Sequence, residues 1–203
     1  MKEAIIFDVD GVLLDSFDVQ IKCYKEIARR LGVKEPGRDV IEESFGFRLE
    51  KKSKLLFGSE DEKIIDIYKE IRSKMENDIK VMDGLEEFLN NLKAKKAIVT
   101  SRTKESLERS FGNFLKFFSV IVTEEYTEKL KPNPDPLLLA CERLDVIPGK
   151  AVYVGDTIID YRAAKNAGMG FIGFTSGCTP KERFEEVGAK SVSSLKELSG
   201  EFE

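Results

Sequence analysis

Residues 4–16 read AIIFDVDGVLLDS, an apolar run that ends abruptly in two aspartates. The part from residue 4 to residue 9 shows little alternation of apolar and polar side chains, which is typical of a strand buried on both faces of a parallel sheet. Similar short runs follow at residues 97–100, 119–122, 151–154 and 170–174. The opening run therefore predicts the first strand of a parallel sheet.

Helix signals lie between the later runs. Candidate helix starts stand at Asp83, Thr103, Asp135, Asp156 and Thr179. Asp83 with Glu86 three residues on predicts a capping box, and Asp135 before Pro136 predicts an N-cap followed by proline at the first helical position. This alternation of strands and helices predicts a doubly wound, Rossmann-like α/β core.

The segment between the first and second runs departs from this alternation, since about 80 residues contain no convincing strand. Residues 16–31 carry apolar side chains at helical spacing, and Ser59 with Glu62 predicts a capping box before a second helix. So long an all-helical crossover is more typical of an inserted domain than of a loop. We expect a helical cap domain at residues 16–80 and a discontinuous core at residues 1–15 and 81–203.

The composition limits the chemistry. The 203 residues include no histidine, and 33 Lys and Arg against 37 Asp and Glu give a net charge of −4. The lack of histidine excludes Ser-His-Asp triads, histidine general bases and imidazole zinc sites. The charge balance gives no indication of nucleic-acid binding, and no apolar run reaches the roughly 20 residues of a membrane span. Three scattered cysteines suit free thiols in the cytoplasm.

Polar side chains stand where the predicted strands end. They are Asp8, Asp10, Thr100, Ser101, Arg102, Asp156 and Asp160, with Lys131 ahead of the fourth strand. Ligands of open parallel sheets bind at the carboxyl ends of the strands, so these groups are predicted to share one rim. Carboxylates gathered there would repel and raise one another's pKa values, and a divalent cation removes that penalty. Ligands that are all oxygen favour a hard ion such as Mg²⁺.

The same rim suits a phosphoryl group. Lys131 adds a positive charge and Thr100 adds a neutral donor, which together with Mg²⁺ can stabilise a phosphoryl group beside an aspartate. An aspartate can itself act as the nucleophile and form an aspartyl-phosphate, so no histidine is required.

Four motifs, DVDGV, VTSR, KPNPDP and VGDTIIDYRAAKNAGM, occur in this order along the chain. Together they resemble the four motifs of the haloacid dehalogenase superfamily, and the resemblance is closest to phosphoglycolate phosphatase-like members with a helical, C1-type cap. It extends over nearly the whole chain, including a helical segment after the first motif.

The resemblance implies a role for each acidic residue. Asp8 would be the nucleophile and a Mg²⁺ ligand. Asp10 would be the general acid and base, with its backbone carbonyl on the metal. Asp156 would be a further Mg²⁺ ligand, and Asp160 would orient that ligand shell from behind. Because dehalogenases lack an acid/base aspartate at the position of Asp10, the resemblance favours phosphomonoester chemistry.

The resemblance also implies the groups that bind the phosphoryl oxygens. Thr100 would donate to one of them, aided by backbone amides around Gly11 and Ser101. Lys131 would neutralise the phosphate and the nucleophile.

The cap contains one segment that suggests substrate selection. Residues 43–50 read ESFGFRLE, and the turn centred on Gly46 resembles the loop by which helical caps dip into the active site. Arg48 would then bind a substrate carboxylate or a second anionic group. The alternative is that Arg48 is a solvated charge at a helix start, and the sequence leaves both interpretations open.

The sequence therefore predicts a cytoplasmic, Mg²⁺-dependent phosphatase that hydrolyses a small phosphorylated metabolite, with phosphoglycolate as the lead substrate. We expect a monomer or a weak homodimer, and neither nucleic acid nor membrane as a partner. Two alternatives stay open: a phosphomutase of the β-phosphoglucomutase type, and a non-catalytic binding or regulatory module on the same fold.

Overall fold

The structure of the chain is a computed structural model that describes residues 2–45 and 47–202. Its strands are β1 (Ala4–Phe7), β2 (Leu14–Asp15), β3 (Lys80–Val81), β4 (Lys95–Val99), β5 (Val120–Val122), β6 (Ala151–Gly155), β7 (Gly170–Phe174) and β8 (Ser191–Val192). Its helices are α1 (Phe17–Leu31), α2 (Arg38–Ser44), α3 (Leu49–Phe57), α4 (Glu62–Met75), α5 (Leu85–Asn91), α6 (Lys104–Phe111), α7 (Asp135–Leu144), α8 (Ile158–Asn166), α9 (Lys181–Glu186) and α10 (Leu195–Gly200).

The main sheet of the described residues is parallel and has the strand order β5-β4-β1-β6-β7-β8. The chain begins in the middle with β1, builds outward through β4 and β5, and then returns to the other side of β1 with β6. The strand order thus reverses beside β1, and this is where open α/β sheets bind ligands at the carboxyl ends of their strands. The fold places Asp8 and Asp156 at that point.

Helices cover both faces of the sheet. Successive side chains of a strand point to opposite faces. In β1, Phe7 belongs to an apolar cluster with residues of α5, α6 and α10, and Ile6 belongs to another with residues of α7 and α8. All four residues of β1 are buried. The expected doubly wound α/β core is confirmed.

Helices α1 to α4 lie between β2 and β3 in the chain and form the inserted helical cap. They surround an apolar cluster of their own, which includes Tyr24, Ile27, Ile41 and Leu56. The antiparallel pair β2 and β3 brings the two connections between cap and core side by side, with Leu14 opposite Val81. The domain boundaries at residues 15/16 and 80/81 stay a prediction. In the described residues, no helix has both the length and the apolar character needed to cross a bilayer.

The five predicted strands all form, and the second begins at Lys95, two residues earlier than expected. The two-residue strands β2, β3 and β8, and the helix α10 that follows β8, were not predicted. Elements of two residues carry no periodicity to detect.

Two predicted N-caps, Asp83 and Asp135, are each wrong by one residue. Asp83 does not cap α5, because Gly84 adopts a left-handed conformation with φ of 75° and occupies the N-cap position itself. Asp135 is already helical, and Pro134 stands at the N-cap of α7. The proline predicted for the first helical position therefore stands one residue further into the helix.

The capping box predicted from Ser59 and Glu62 does not form. Asp61 is the N-cap of α4, and its side chain accepts a hydrogen bond of 2.9 Å from the Lys63 amide. Its carboxylate lies close enough to the second amide of the helix to satisfy it directly. The prediction at Thr103 is confirmed, since its hydroxyl accepts from an amide of α6.

Candidate active site

The carboxyl ends of β1, β4 and β6 border a cavity of about 620 Å³, which cap residues also line. This volume is typical of small-molecule sites. Of the residues expected at the site, the cavity is lined by Asp8, Asp10, Gly11, Ser101, Lys131, Asp156 and Asp160. The structure thus brings residues from all four motifs to one rim.

Three carboxylates of the core meet at one side of the cavity. Asp8, Asp156 and Asp160 are buried, and one carboxylate oxygen of each lies within 4.8 Å of the others. Lys131 Nζ lies 3.0 Å from Asp8 Oδ2 and 2.7 Å from Asp160 Oδ1. We call these four residues the acidic side. Three carboxylates face one ammonium group, so the acidic side would carry a net of two negative charges with all three carboxylates ionised.

Both carboxylate oxygens of Asp160 accept hydrogen bonds from other groups of the protein. Oδ2 accepts hydrogen bonds from the amide and the hydroxyl of Thr157, which closes a capping box at the start of α8. Oδ1 accepts from Lys131, whose ammonium also donates to the Tyr153 hydroxyl at 2.9 Å. Burial lowers the pKa of Lys131, but the charges of Asp160 and Asp8 outweigh burial and raise it. Asp160 therefore holds a charged Lys131 against Asp8.

The charges of the remaining two carboxylates of the acidic side, Asp8 and Asp156, are only partly compensated. Burial raises the pKa of Asp8 to about 7, since the charges of Asp160 and Asp10 oppose the single ammonium of Lys131. Burial, with the charges of Asp160 and Asp8, raises the pKa of Asp156 well above its usual value. Ionised together, these groups require a cation.

The geometry around Asp156 fits a hard divalent ion. A Cβ at Gly11 would overlap the Asp156 carboxylate, so only glycine lets the backbone pass there, and Gly11 also has φ of +72°. Among the described backbone amides, none donates to the carbonyl of Asp10. The oxygens of Asp8, Asp156 and that carbonyl are the donor type that hard cations prefer.

A family model described as haloacid dehalogenase-like hydrolase matches residues 5–174 of the chain, and these residues contain the whole of this rim. The chain belongs to this family.

Two curated relatives support a phosphatase branch of the family. A Clostridium perfringens protein described as a candidate PpaX pyrophosphatase is 32% identical over 192 residues, which cover 92% of this chain and 90% of the relative. The phosphoglycolate phosphatase of Nitrosospira multiformis is 30% identical, with 82% of this chain and 80% of the relative covered. The chain is accordingly a phosphatase-type hydrolase.

One solved structure resembles the hydrolase throughout its length. CbbY from Rhodobacter sphaeroides, crystallised in complex with xylulose-(1,5)bisphosphate, superposes with a TM-score of 0.79 at 27% identity. The superposition covers 98% of this chain and 96% of that chain, so the cap is included in the similarity.

Asp10 also lines the cavity, but its surroundings differ from those of the acidic side. Arg102 donates to both of its oxygens, from Nε at 2.8 Å and from Nη2 at 2.7 Å. Ser16 and Gln20 donate to Oδ1 at 2.5 and 3.1 Å. Burial alone would raise the pKa of Asp10, but Arg102, together with Arg72, holds it well below its usual value.

The surroundings of Asp10 extend into a second ion cluster. Glu76 is 3% exposed and accepts a hydrogen bond of 2.8 Å from Arg109 Nε. Arg72 and Arg102 place nitrogens 3.7 and 3.6 Å from the Glu76 carboxylate. We call Asp10, Glu76, Arg72, Arg102 and Arg109 the arginine side. Its two carboxylates face three guanidinium groups.

The groups of the hydrolase that are expected to donate hydrogen bonds to phosphoryl oxygens differ in whether another protein group already accepts their proton. Thr100 is buried at the end of β4 and its hydroxyl accepts from the Arg102 amide at 3.2 Å, which leaves the hydroxyl proton for another acceptor. The Gly11 amide already donates to the Leu14 carbonyl at 2.8 Å. In the described part of the chain the Ser101 amide has no such acceptor. Ser101 is thus better placed than Gly11 to bind a phosphoryl oxygen.

Arg48 does not reach the cavity in this structure. Its side chain is exposed, and Nη2 donates to the Thr127 carbonyl at 2.9 Å, with the carbonyls of Glu124 and Glu128 at 3.4 Å each. Arg48 thereby ties the cap to the core loop that leads to Lys131. Gly46, the centre of the expected turn, lies outside the described residues.

Sequence reasoning named Arg102 at the rim but gave it no role, and it missed Arg72, Glu76 and Arg109. A signal was present, because Arg72 and Glu76 are four residues apart on one helical face, as are Glu105 and Arg109. Such pairs are common on exposed helices, so the spacing alone does not single out a buried cluster.

Proposed function

We propose that this hydrolase is a Mg²⁺-dependent phosphatase that cleaves a small phosphorylated metabolite through an aspartyl-phosphate on Asp8. The observation that carries the proposal is the acidic side, where Asp8 and Asp156 are buried together and Lys131 neutralises only part of their charge. A net of two negative charges is what one divalent cation would neutralise.

Binding of the phosphoryl group falls to Lys131, the Thr100 hydroxyl and the Ser101 amide. Lys131 lies 3.0 Å from Asp8 and would hold the phosphoryl oxygens beside the attacking carboxylate. Mg²⁺, with Asp8, Asp156 and the Asp10 carbonyl as protein ligands, would supply positive charge to the same oxygens. Charge stabilisation of this kind is the main contribution a protein makes to phosphoryl transfer.

The reaction would proceed in two displacements. An oxygen of Asp8 attacks phosphorus, the bond from phosphorus to the leaving oxygen breaks, and Asp10 gives that oxygen a proton. Water then attacks the phosphorus of the aspartyl-phosphate, Asp10 takes a proton from the water, and the bond to Asp8 breaks to release inorganic phosphate. Asp10 has to carry a proton when the cycle begins, and Arg102 and Arg72 oppose this by holding its pKa low. The negative charge of a bound phosphate group would raise that pKa again. Asp10 then ends each cycle in the protonation state in which it began.

The cap would exclude bulk water during the first displacement. Phe45, Phe47 and Tyr68 line the cavity from the cap, opposite the strand ends. Closing an active site over a reactive intermediate protects it from premature hydrolysis.

The cavity favours a substrate with a second anionic group. Four cations that line it, Lys131, Arg72, Arg102 and Arg109, contact carboxylates. Lys52 and Lys69 also line the cavity, and neither has an ion pair within 4 Å among the described residues. Phosphoglycolate, the lead substrate, carries a carboxylate that two such lysines could bind. Pyrophosphate and phosphoglycolate, which the names of two relatives give, and the sugar bisphosphate bound to CbbY also carry a second anionic group.

A panel of phosphorylated metabolites, assayed with and without Mg²⁺, tests the proposal. We expect release of inorganic phosphate only with Mg²⁺, and Asp8→Asn should reduce the rate at least about 1000-fold because the nucleophile is lost. The exposed Asp15, seven residues further on, supplies the matched control, and Asp15→Asn should leave the rate unchanged.

Two outcomes would contradict the proposal. Activity that survives Asp8→Asn would show that the nucleophile is another group. An isomerised sugar phosphate formed without release of phosphate would indicate a phosphomutase instead.

A further inference from the structure

The carboxylate of Asp10 is bound by residues from both connections between the core and the cap. Ser16 and Gln20 belong to the outgoing connection, where the chain leaves β2 and enters α1. Arg72 belongs to the last turns of α4, on the return path, and its Nη2 lies 3.6 Å from Asp10 Oδ1. The two paths by which the chain crosses between domains thus meet at one side chain.

Arg102 is the strongest partner of Asp10. Its guanidinium makes two parallel hydrogen bonds to the carboxylate, a geometry that fixes the plane of the carboxylate as well as its position. The third nitrogen, Nη1, donates to Ser110 Oγ at 2.8 Å and to Ser106 Oγ at 3.2 Å. Arg102 is 6% exposed and has all three nitrogens engaged, so it has one well-defined orientation.

Glu76 fixes the other side of this arrangement. It follows directly on α4 and begins the short 3₁₀ turn Glu76–Asp78 that leads into β3. Its carboxylate accepts from Ser106 Oγ at 2.5 Å and lies 3.6 Å from Arg102 Nη1. Glu76 therefore links the return connection of the cap to the residues that hold Arg102.

We propose that Arg102 is a positioning residue that sets the orientation of Asp10, and that Glu76 transmits the position of the cap connection to Arg102. The orientation of Asp10 toward the leaving oxygen then depends on how the cap is seated on the core. This inference rests on the proposed function, since it affects turnover only if Asp10 transfers the proton.

The test is the rate of the first turnover, measured by rapid mixing on phosphate esters whose leaving groups range from p-nitrophenol to simple alcohols. A good leaving group departs without a proton, whereas a poor one needs the proton of Asp10. Arg102→Lys keeps the charge but loses the two-pronged contact. We expect it to slow the first turnover of alkyl phosphates about 100-fold and that of p-nitrophenyl phosphate only a few-fold, as for a misplaced catalytic group.

Two further variants make the result specific. Arg183→Lys, on the exposed face of α9, is the matched control and should change nothing. Ser110→Ala removes one hydrogen bond from Arg102 without changing any charge, and should show the same dependence on leaving group at smaller size, even if Arg102→Lys proves unstable to heat.

The reference is Asp10→Asn, which should show the strongest dependence on leaving group. If Asp10→Asn shows it and Arg102→Lys slows all esters equally, or none, Arg102 does not position Asp10 and only this inference fails. If Asp10→Asn itself slows all esters equally, the proposed acid role of Asp10 fails, whatever Arg102 does. Glu76→Gln should show the same dependence of rate on leaving group as Arg102→Lys. A loss of rate that is equal for all esters would show that Glu76 does not act through Arg102.

Discussion

The acidic side and the arginine side border the same cavity but have opposite balances of charge. On the acidic side, Asp8, Asp156 and Asp160 share one ammonium group, and burial raises the pKa values of the first two. On the arginine side, two carboxylates share three guanidinium groups, and the pKa of Asp10 is held low. The acidic side needs an outside cation to ionise fully, whereas the arginine side is complete without one.

The largest effect on stability is expected from removing the one cation of the acidic side. Without Mg²⁺, Lys131→Met should lower the free energy of unfolding by about 3–5 kcal/mol, because it leaves the buried carboxylates without a cation beside them. Arg109→Met, the corresponding change on the arginine side, should cost clearly less, since two other guanidinium groups remain beside Glu76. Urea denaturation of both variants in EDTA measures the difference, and equal losses would show that the two sides do not differ in charge balance.

The next effect is a dependence of stability on pH in the metal-free protein. The pKa of Asp8 rises from 3.8 to about 7 on folding, so between these values the folded state binds more protons than the unfolded state. The free energy of unfolding should therefore fall as pH rises from about 4 to about 7, by up to about 1.4 kcal/mol per pH unit for each such group. Asp10 affects the pH dependence of the free energy of unfolding only below this window, because its pKa is lowered in the folded state.

Mg²⁺ should abolish most of this fall, and Asp8→Asn should reduce it in EDTA. Denaturation curves at several pH values, with and without Mg²⁺, provide the check. Stability in EDTA that rises steadily over the same range would contradict the raised pKa of Asp8.

The smallest effect is expected from Arg48. Because its guanidinium binds backbone carbonyls of the core and not the cavity, Arg48→Ala should change KM for all substrates by a common factor below about fivefold. The ranking of a substrate panel should stay the same, as it should for the exposed control Arg29→Ala. A change in KM confined to substrates with a second anionic group would indicate instead that Arg48 binds the substrate.

The acidic side could be predicted from the sequence because Asp8 and Asp156 directly follow strand ends and Asp160 lies in the first turn of the next helix. Once β1 and β6 are neighbours in a parallel sheet, Asp8 and Asp156 have to meet, whatever the details of packing. The strands themselves were detectable because AIIF and AVYVG are apolar on both faces.

The arginine side could not be predicted in the same way. Arg102 was expected at the same rim as Asp10, but nothing in the sequence pairs their side chains. Arg72 lies in a cap helix and Glu76 directly follows it, and the placement of both depends on tertiary packing. Arg48 illustrates the same limit. Its position in the chain suggested a side chain in the cavity, but its guanidinium binds the carbonyl of Thr127 in a core loop. Helix spacing predicts which residues share a face, but not what that face meets.

The most direct test of the central claim is calorimetric titration of the metal-free protein with Mg²⁺. The acidic side predicts one Mg²⁺ per chain for the unchanged protein, no measurable binding for Asp156→Asn, and unchanged stoichiometry for Arg102→Lys. Binding to Asp156→Asn with the same affinity as to the unchanged protein would contradict the account.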